Sequence, residues 1–316
     1  MIRRVFKWLL IAGTLLVGAA AAGVLWLRSD AARPLEGYFA ARHGELVAAN
    51  VIERSVDDGQ VAEFLTLQSD SGLSVRTRVI RPDMTEAALP VLIILGGHRT
   101  GSDAVDLFGR VGDRAVVALD YPYDGPEKVR GVRQTLDTLP LARRAFIDTP
   151  PAVSLALDWL QAQSWVDPER ITMVGASLGV PFAALSTARD ARIKGAVLVH
   201  GAADNEAWIE VQVARRNDNP VVIAVVTKLL HWLSYGPTFD IGRNTALISP
   251  RPVVIVGARQ DERTPAEQTT ALYEAAGEPK LLRWTSGRHV EPDRPEVIAE
   301  LLAIADDVLS TPPANR

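Results

Sequence analysis

The stretch Ile171-Thr172-Met173-Val174-Gly175-Ala176-Ser177-Leu178-Gly179-Val180 decides how this chain folds. Residues 171–174 are an apolar run of strand length, and residues 178–188 carry an alanine-rich helical pattern. Between them lies a sharp Gly-x-Ser-x-Gly turn with Ser177 at its apex. Glycines flank such a turn because side chains there would clash. The turn lifts the serine hydroxyl above the end of a sheet, beside a helix N-terminus whose amides favour a developing oxyanion. Pro181 falls in the first turn of that helix, where its missing N–H costs little.

The pattern repeats on both sides of this turn. Residues 91–95, 115–119, 196–200 and 252–256 are further short apolar runs, the signature of strands covered on both faces. Helical stretches lie between them, notably at 151–163, 178–188 and 264–276, and residues 281–284 and 292–309 read as a last strand and a closing helix. Such alternation predicts an α/β fold with a doubly wound, mostly parallel sheet. Residues 61–68 and 73–80 alternate apolar and polar side chains around Ser69-Asp70-Ser71-Gly72, which predicts a β-hairpin at the start of the domain. The domain is expected over 61–312. About fifty residues, 204–250, separate two of its strands, and they form either a cap over the site or ordinary helices packed on the domain.

The N-terminus reads differently. Arg3, Arg4 and Lys7 precede residues 8–27, which carry no charge and are long enough to cross a hydrocarbon core as a helix. Trp8 and Trp26 stand near the two ends, where indoles prefer the interface. Residues 1–28 are therefore expected to be a cytoplasmic N-terminus and transmembrane signal-anchor, with the remainder on the outer, extracytoplasmic side. A cleaved signal peptide is the rival, with Ala20-Ala21-Ala22 as a cleavage site, but the apolar run continues past it. Residues 29–60 mix charge with Pro34 and Gly37 and read as a linker, helical in part.

Composition narrows the function classes. The formal charge of −4 arises from 34 basic and 38 acidic residues, well mixed, so no basic stripe points to nucleic acid. There is no cysteine, which excludes a disulfide scaffold, a thiol nucleophile and thiolate metal sites. No acids and histidines stand at a spacing that suggests another metal site, and no cofactor is expected.

A serine hydroxyl becomes a nucleophile only when a base takes its proton, and that base needs an orienting acid. Asp261 follows the 252–256 strand in Gly257-Ala258-Arg259-Gln260-Asp261-Glu262-Arg263-Thr264-Pro265, with Glu262 beside it as competitor. His289 follows the last strand, so serine, acid and histidine come in the order used after successive parallel strands. His200 is an alternative base, with Asp204 as its acid; His231 lies on an apolar run and reads as a packed helix residue. Amide donors for an oxyanion are expected at Leu178, and at His98 in the turn Gly96-Gly97-His98, where the imidazole is an alternative to the N–H. Residues 120–125 are expected to form a pocket wall, with the acyl pocket between segments 121–150 and 204–250.

At these residues the chain resembles the α/β-hydrolase superfamily across roughly 61–309. The hairpin, the Gly-Gly-His turn, Gly-Ala-Ser-Leu-Gly and the Asp261 loop are most similar to esterases of the dienelactone-hydrolase-like and acyl-peptidase-like branch. The resemblance implies Ser177 as nucleophile, Asp261 as acid, His289 as base, and Leu178 and His98 as amide donors. Together with the N-terminal span it leads to the expectation of a membrane-anchored serine hydrolase, a carboxylesterase on a small-molecule or lipid ester. A peptidase or acyltransferase using the same residues, or an inactive binding module, are the alternatives. The departures are a serine where dienelactone hydrolases use cysteine, a histidine after rather than before the glycines, and Val180 where prolyl-peptidase relatives have a further glycine.

Overall fold

The structure, a computed structural model, describes residues 2–97 and 100–310. It opens with α1 (Ile2–Ala31), of which Phe6–Ala31 is apolar enough and long enough to cross a membrane. The most apolar window of α1 is unburied, whereas Leu27 and Ala31 near its end pack against the domain. Next come α2 (Glu36–His43), β1 (Leu46–Asp57), β2 (Gln60–Ser69), β3 (Ser74–Pro82) and β4 (Leu89–Leu95). A 3₁₀ helix (Gly101–Phe108), β5 (Ala115–Leu119), α3 (Gly131–Gln161), β6 (Val166–Ala176) and α4 (Gly179–Arg189) follow. After β7 (Gly195–Val199) come three helices, α5 (Asn205–Ala214), α6 (Pro220–Leu233) and α7 (Ile241–Ala246). The chain closes with β8 (Val253–Ala258), α8 (Ala266–Ala275), β9 (Lys280–Thr285) and α9 (Pro295–Ser310).

Among the described residues nine strands form one sheet in the order β1-β2-β3-β5-β4-β6-β7-β8-β9. The first three and the β3–β5 pair are antiparallel; from β5 through β9 every pairing is parallel. The parallel strands are apolar along their whole length because helices cover both faces. Their two-residue period divides the core. Val91, Ile93, Leu95, Ile171 and Met173 pack in one layer with the buried residues of α3 and α4. Leu92, Ile94, Val116 and Ala118 point the other way, toward Ala104 and Val105 of the 3₁₀ helix. Val197, Val199, Val254 and Val256 extend that second layer toward Leu301 and Ile304 of α9.

Two expectations are corrected. Residues 29–60 are no linker: β1 is hydrogen-bonded along β2 from Leu46↔Ser69 to Asp57↔Gln60. As an edge strand it is mostly exposed, so it lacks the apolar alternation that reveals a strand in sequence. α2 is likewise bound in, because the Tyr38 hydroxyl and the Arg42 guanidinium (3.0 Å) both donate to buried Asp148 of α3. The helix expected from residue 151 begins at Gly131, and Pro140, Pro150 and Pro151 all lie inside it. Prolines disrupt the internal ladder of a helix, but the buried stripe of α3, with Ala145, Ile147, Ala152 and Leu155, keeps the segment packed across them. The 204–250 segment is two things. Tyr235, Phe239, Ile241 and Ile248 are core, while α5 has no buried residue and α6 has one, Thr227.

Candidate active site

Chain order reverses at β4, which has β5 on one side and β6 on the other. The loops leaving β4 and β6 must therefore part in opposite directions, and they leave a crevice at the carboxyl ends of the strands. Ser177 stands on the loop after β6 and Gly96-Gly97 on the loop after β4; a Cβ on Gly97 would lie 3.9 Å from that of Ser177.

The turn at Ser177 is as tight as its glycines require. A Cβ on Gly175 would come within 2.5 Å of the Ala183 methyl, and one on Gly179 would overlap the Leu95 carbonyl. Ser177 itself is left-handed at φ 52°, strain that the surrounding bonds hold in place. Its N–H donates to Val199 O at 2.9 Å and its carbonyl accepts from Val180 N at 3.1 Å. Leu178 precedes α4, so its amide belongs to the helix-start donors that have no carbonyl four residues back within the helix.

Ser177 Oγ lies 2.8 Å from His289 Nε2. On the far side of the ring, His289 Nδ1 is 2.9 Å from both oxygens of Asp261. Asp261 Oδ1 also accepts the backbone N–H groups of Arg263 and Thr264, each at 2.8 Å, which fixes the carboxylate against the loop. Because the carboxylate is the acceptor, Nδ1 carries the proton and Nε2 presents a lone pair to the serine. This arrangement can take a proton from the hydroxyl as it attacks and hold the resulting imidazolium. Glu262, the competitor for the acid role, is turned away from the imidazole. It accepts His289 N–H at 3.2 Å and pairs with Arg294 at 2.8 Å, while Arg294 donates to His289 O at 2.7 Å. Burial works against its charge, but the backbone amides of Glu262 and His289 and the Arg294 guanidinium outweigh it, and its pKa falls to about 2. Glu262 thus clamps the backbone of His289.

His200 differs from its reading as a base paired with Asp204. It is fully buried at the end of β7 in a left-handed conformation, φ 55°. Its ring centroid is 5.5 Å from that of His289, and its Nδ1 accepts Val290 N–H at 2.8 Å. Asp204 instead caps α5 by accepting from Glu206 and Ala207. Burial outweighs the attraction of Asp261 and pushes His200 down to about 4, while an unfolded histidine titrates near 6.5. The folded-state value is depressed, so the stability that His200 supplies is complete above about pH 6.5 and is lost as pH falls toward 4. The loss amounts to about 3 kcal/mol. Urea unfolding at graded pH should show this slope in the native chain and a flatter one in His200→Gln; equal slopes refute the assignment. His231 is half-buried on α6, packed against Gly236.

His98 lies outside the described residues. The turn that contains it is braced by residues expected to be pocket wall. Tyr121 donates to Gly96 O at 2.6 Å, and Asp120 accepts Ser102 N–H at 2.7 Å. Burial pushes the Tyr121 hydroxyl well above its usual range and keeps it a donor. These side chains support the β4 loop from behind, and residues 120–125 line neither of the two cavities at Ser177.

The larger cavity, about 600 Å³, runs along the sheet face between the 3₁₀ helix and α9, past Ile94, Phe108, Val199 and Leu301. The smaller, about 310 Å³, lies between α3, α5 and α6, with Phe146, Trp208, Leu230 and Phe239 in its walls. Both are mainly apolar, and Ser177 is in the wall of each. The nearest approach to a metal-ligand set among the described residues is His200, Asp261 and His289, whose ligand atoms lie within 4.8 Å of one another. The hydrogen bonds above already engage His289 Nδ1 and Nε2, His200 Nδ1 and both Asp261 oxygens.

No protein-family model matches the chain. Over 129 residues it is 30 % identical to Bacillus subtilis YtaP, provisionally named a hydrolase; the match covers 39 % of this chain and 40 % of that relative. Among solved structures it superposes on an acetyl xylan esterase from a Paenibacillus species with a TM-score of 0.62 and 18 % identity, covering 85 % of this chain and 92 % of the other. Acetyl xylan esterase 1 from a Thermoanaerobacterium species gives 0.60 at 16 % identity, over 91 % and 98 % of the two chains. A cold-adapted esterase from an Arctic intertidal metagenomic library gives 0.56 at 18 %, over 83 % and 99 %. The chain has the α/β-hydrolase fold, as the resemblance in its sequence implied.

Proposed function

We propose that this chain is a membrane-anchored serine esterase acting on carboxylic esters. The observation that carries the reading is the line from Ser177 Oγ to His289 Nε2 (2.8 Å) and from His289 Nδ1 to Asp261 (2.9 Å). Ser177 Oγ attacks the ester carbonyl carbon while His289 Nε2 takes its proton. The tetrahedral oxyanion is held by the Leu178 amide and by the turn after β4, at His98. His289 returns the proton to the departing alkoxide, leaving an acyl-Ser177. Water, deprotonated by the same imidazole, releases the acid and restores the hydroxyl. Asp261 keeps the ring in the required tautomer throughout. Apolar cavities on both sides of Ser177 give room to the acyl and the alcohol parts of an ester. The anchor is α1, with Arg3, Arg4 and Lys7 on the cytoplasmic side and the hydrolase domain on the outer side.

A fluorophosphonate probe tests the nucleophile directly. The native chain should be labelled in the membrane fraction, and Ser177→Ala, of unchanged circular dichroism, should not be. Absence of label from folded native protein, or undiminished label on Ser177→Ala, rules the proposal out. Label recovered only in the soluble fraction rules out the anchor while leaving the nucleophile.

A further inference from the structure

The 310 Å³ cavity opens on a side of the molecule where apolar side chains face outward. On α6, Val221, Val222 and Val225 are exposed, Val221 by 70 %, and their spacing places them on one face. The rest of α6 is held to the protein: Thr227 is buried, and Lys228 pairs with Glu206 of α5 at 2.5 Å. On α3, Val132, Leu136, Leu139, Arg143 and Phe146 succeed one another at three- and four-residue steps and so form one stripe. Its last three members line the cavity; its first two carry the stripe outward and are exposed, Val132 by 77 %. Leu230 lines the cavity and is also 42 % exposed, which places it at the rim.

These faces meet at the foot of α1. Asp30 pairs with Arg143 at 2.6 Å, and the same guanidinium donates from Nε to Leu233 O at 3.1 Å. It also sits 4.6 Å from the ring centre of Tyr235 and 6.0 Å from that of Trp26. One side chain therefore ties the end of α1 to the α3 stripe and to the last residue of α6. Phe6–Ala31 is about 39 Å long at 1.5 Å per residue, against a hydrocarbon core of about 30 Å, so its final turn emerges at headgroup level. Trp26 and Arg28 are the residue types found at that depth. α3 and α6, whose first turns carry the exposed faces, are thereby tied through Arg143 and Leu233 to the turn of α1 that leaves such a bilayer.

We infer that these two faces dock on the same bilayer that α1 spans, and that an ester borne by a membrane lipid enters the 310 Å³ cavity past Leu230. The occupant is lipid because the faces are continuous with the membrane helix and lead into the cavity that ends at Ser177. Docked, the valines and leucines sit at the boundary of headgroups and acyl chains, and an acyl chain reaches the serine without crossing bulk water. The inference rests on the membrane-anchored esterase reading and gives it a substrate class.

The chain has no cysteine, so single introduced thiols report unambiguously. Leu16→Cys, Val225→Cys and Met84→Cys, each carrying an environment-sensitive fluorophore, are compared with the full chain in phosphatidylcholine vesicles containing brominated phosphatidylcholine. Met84 precedes β4, at the end of the sheet opposite Ser177. The Leu16 and Val225 labels should be quenched by the brominated chains and the Met84 label should not. A quenched Leu16 label with an unquenched Val225 label overturns the docking and leaves the anchor standing. An unquenched Leu16 label overturns the anchor, and the inference with it. For entry, Val221→Asp combined with Val225→Asp should lower kcat/KM on p-nitrophenyl palmitate held in vesicles about tenfold, with soluble p-nitrophenyl acetate turned over as before. Equal loss on both esters, or on neither, overturns entry from the bilayer.

Discussion

His289→Ala is expected to lower kcat on a soluble ester by about 10⁶-fold with the fold intact. Among the described residues the His289 imidazole is the base within hydrogen-bond reach of Ser177 Oγ, at 2.8 Å, and its other nitrogen is committed to Asp261. His200, a second described histidine beside the site, cannot replace it. Its ring centre is 5.5 Å away from that of His289, its Nδ1 is occupied by the Val290 N–H, and burial keeps it neutral down to about pH 4. Without a base the serine hydroxyl is a weak nucleophile, so little remains beyond what the oxyanion donors and substrate binding supply. Stopped assays on purified protein in detergent, with fluorophosphonate labelling rates alongside, measure the loss. Activity within a hundredfold of the native chain places the base elsewhere. If the three residues act as the proposed unit, Ser177→Ala together with His289→Ala should be hardly worse than either alone.

Gly179→Ala should act through the backbone. A Cβ there would overlap the Leu95 carbonyl and come within 2.7 Å of its carbon, both main-chain atoms that cannot swing aside. Either β4 or the start of α4 must move, and overpacking of this kind costs about 3 kcal/mol. The movement also separates the Leu178 amide from the β4 loop, the two sides of the crevice. A displacement of about 1 Å at such a site costs about 10²-fold in rate. Urea unfolding and kcat of the folded fraction should both fall in Gly179→Ala. Gly37→Ala is the control: Gly37 lies in α2 with nothing within 4 Å of its Cβ position, and alanine is the better helix former, so stability and rate should hold. Equal behaviour of the two variants would mean that the turn is looser than its geometry indicates.

Much of the α/β architecture and the members of the site were legible in the sequence because each leaves a local trace. The buried parallel strands are unbroken apolar runs, and the Ser177 turn needs glycines at fixed offsets. Asp261 and His289 follow successive strands, which puts them at one rim of the sheet. β1 left no such trace, since an exposed edge strand needs no apolar alternation and is held by backbone hydrogen bonds that any sequence can make. The start of α3 was obscured by three prolines whose local preference is overridden by packing.

By itself, then, the sequence determined the layered α/β sheet, the apolar N-terminal helix and the loops from which a serine, an acid and a histidine could meet, because periodicity, run length and turn chemistry are properties of neighbouring residues. Only the tertiary structure decided which acid faces the imidazole and that His200 is a buried neutral neighbour. It alone set Tyr121 and Asp120 behind the glycine turn, and tied Asp30 to Arg143, α3 and α6. Those choices depend on distances between segments up to 113 residues apart in the chain, and such distances exist only once the core has packed.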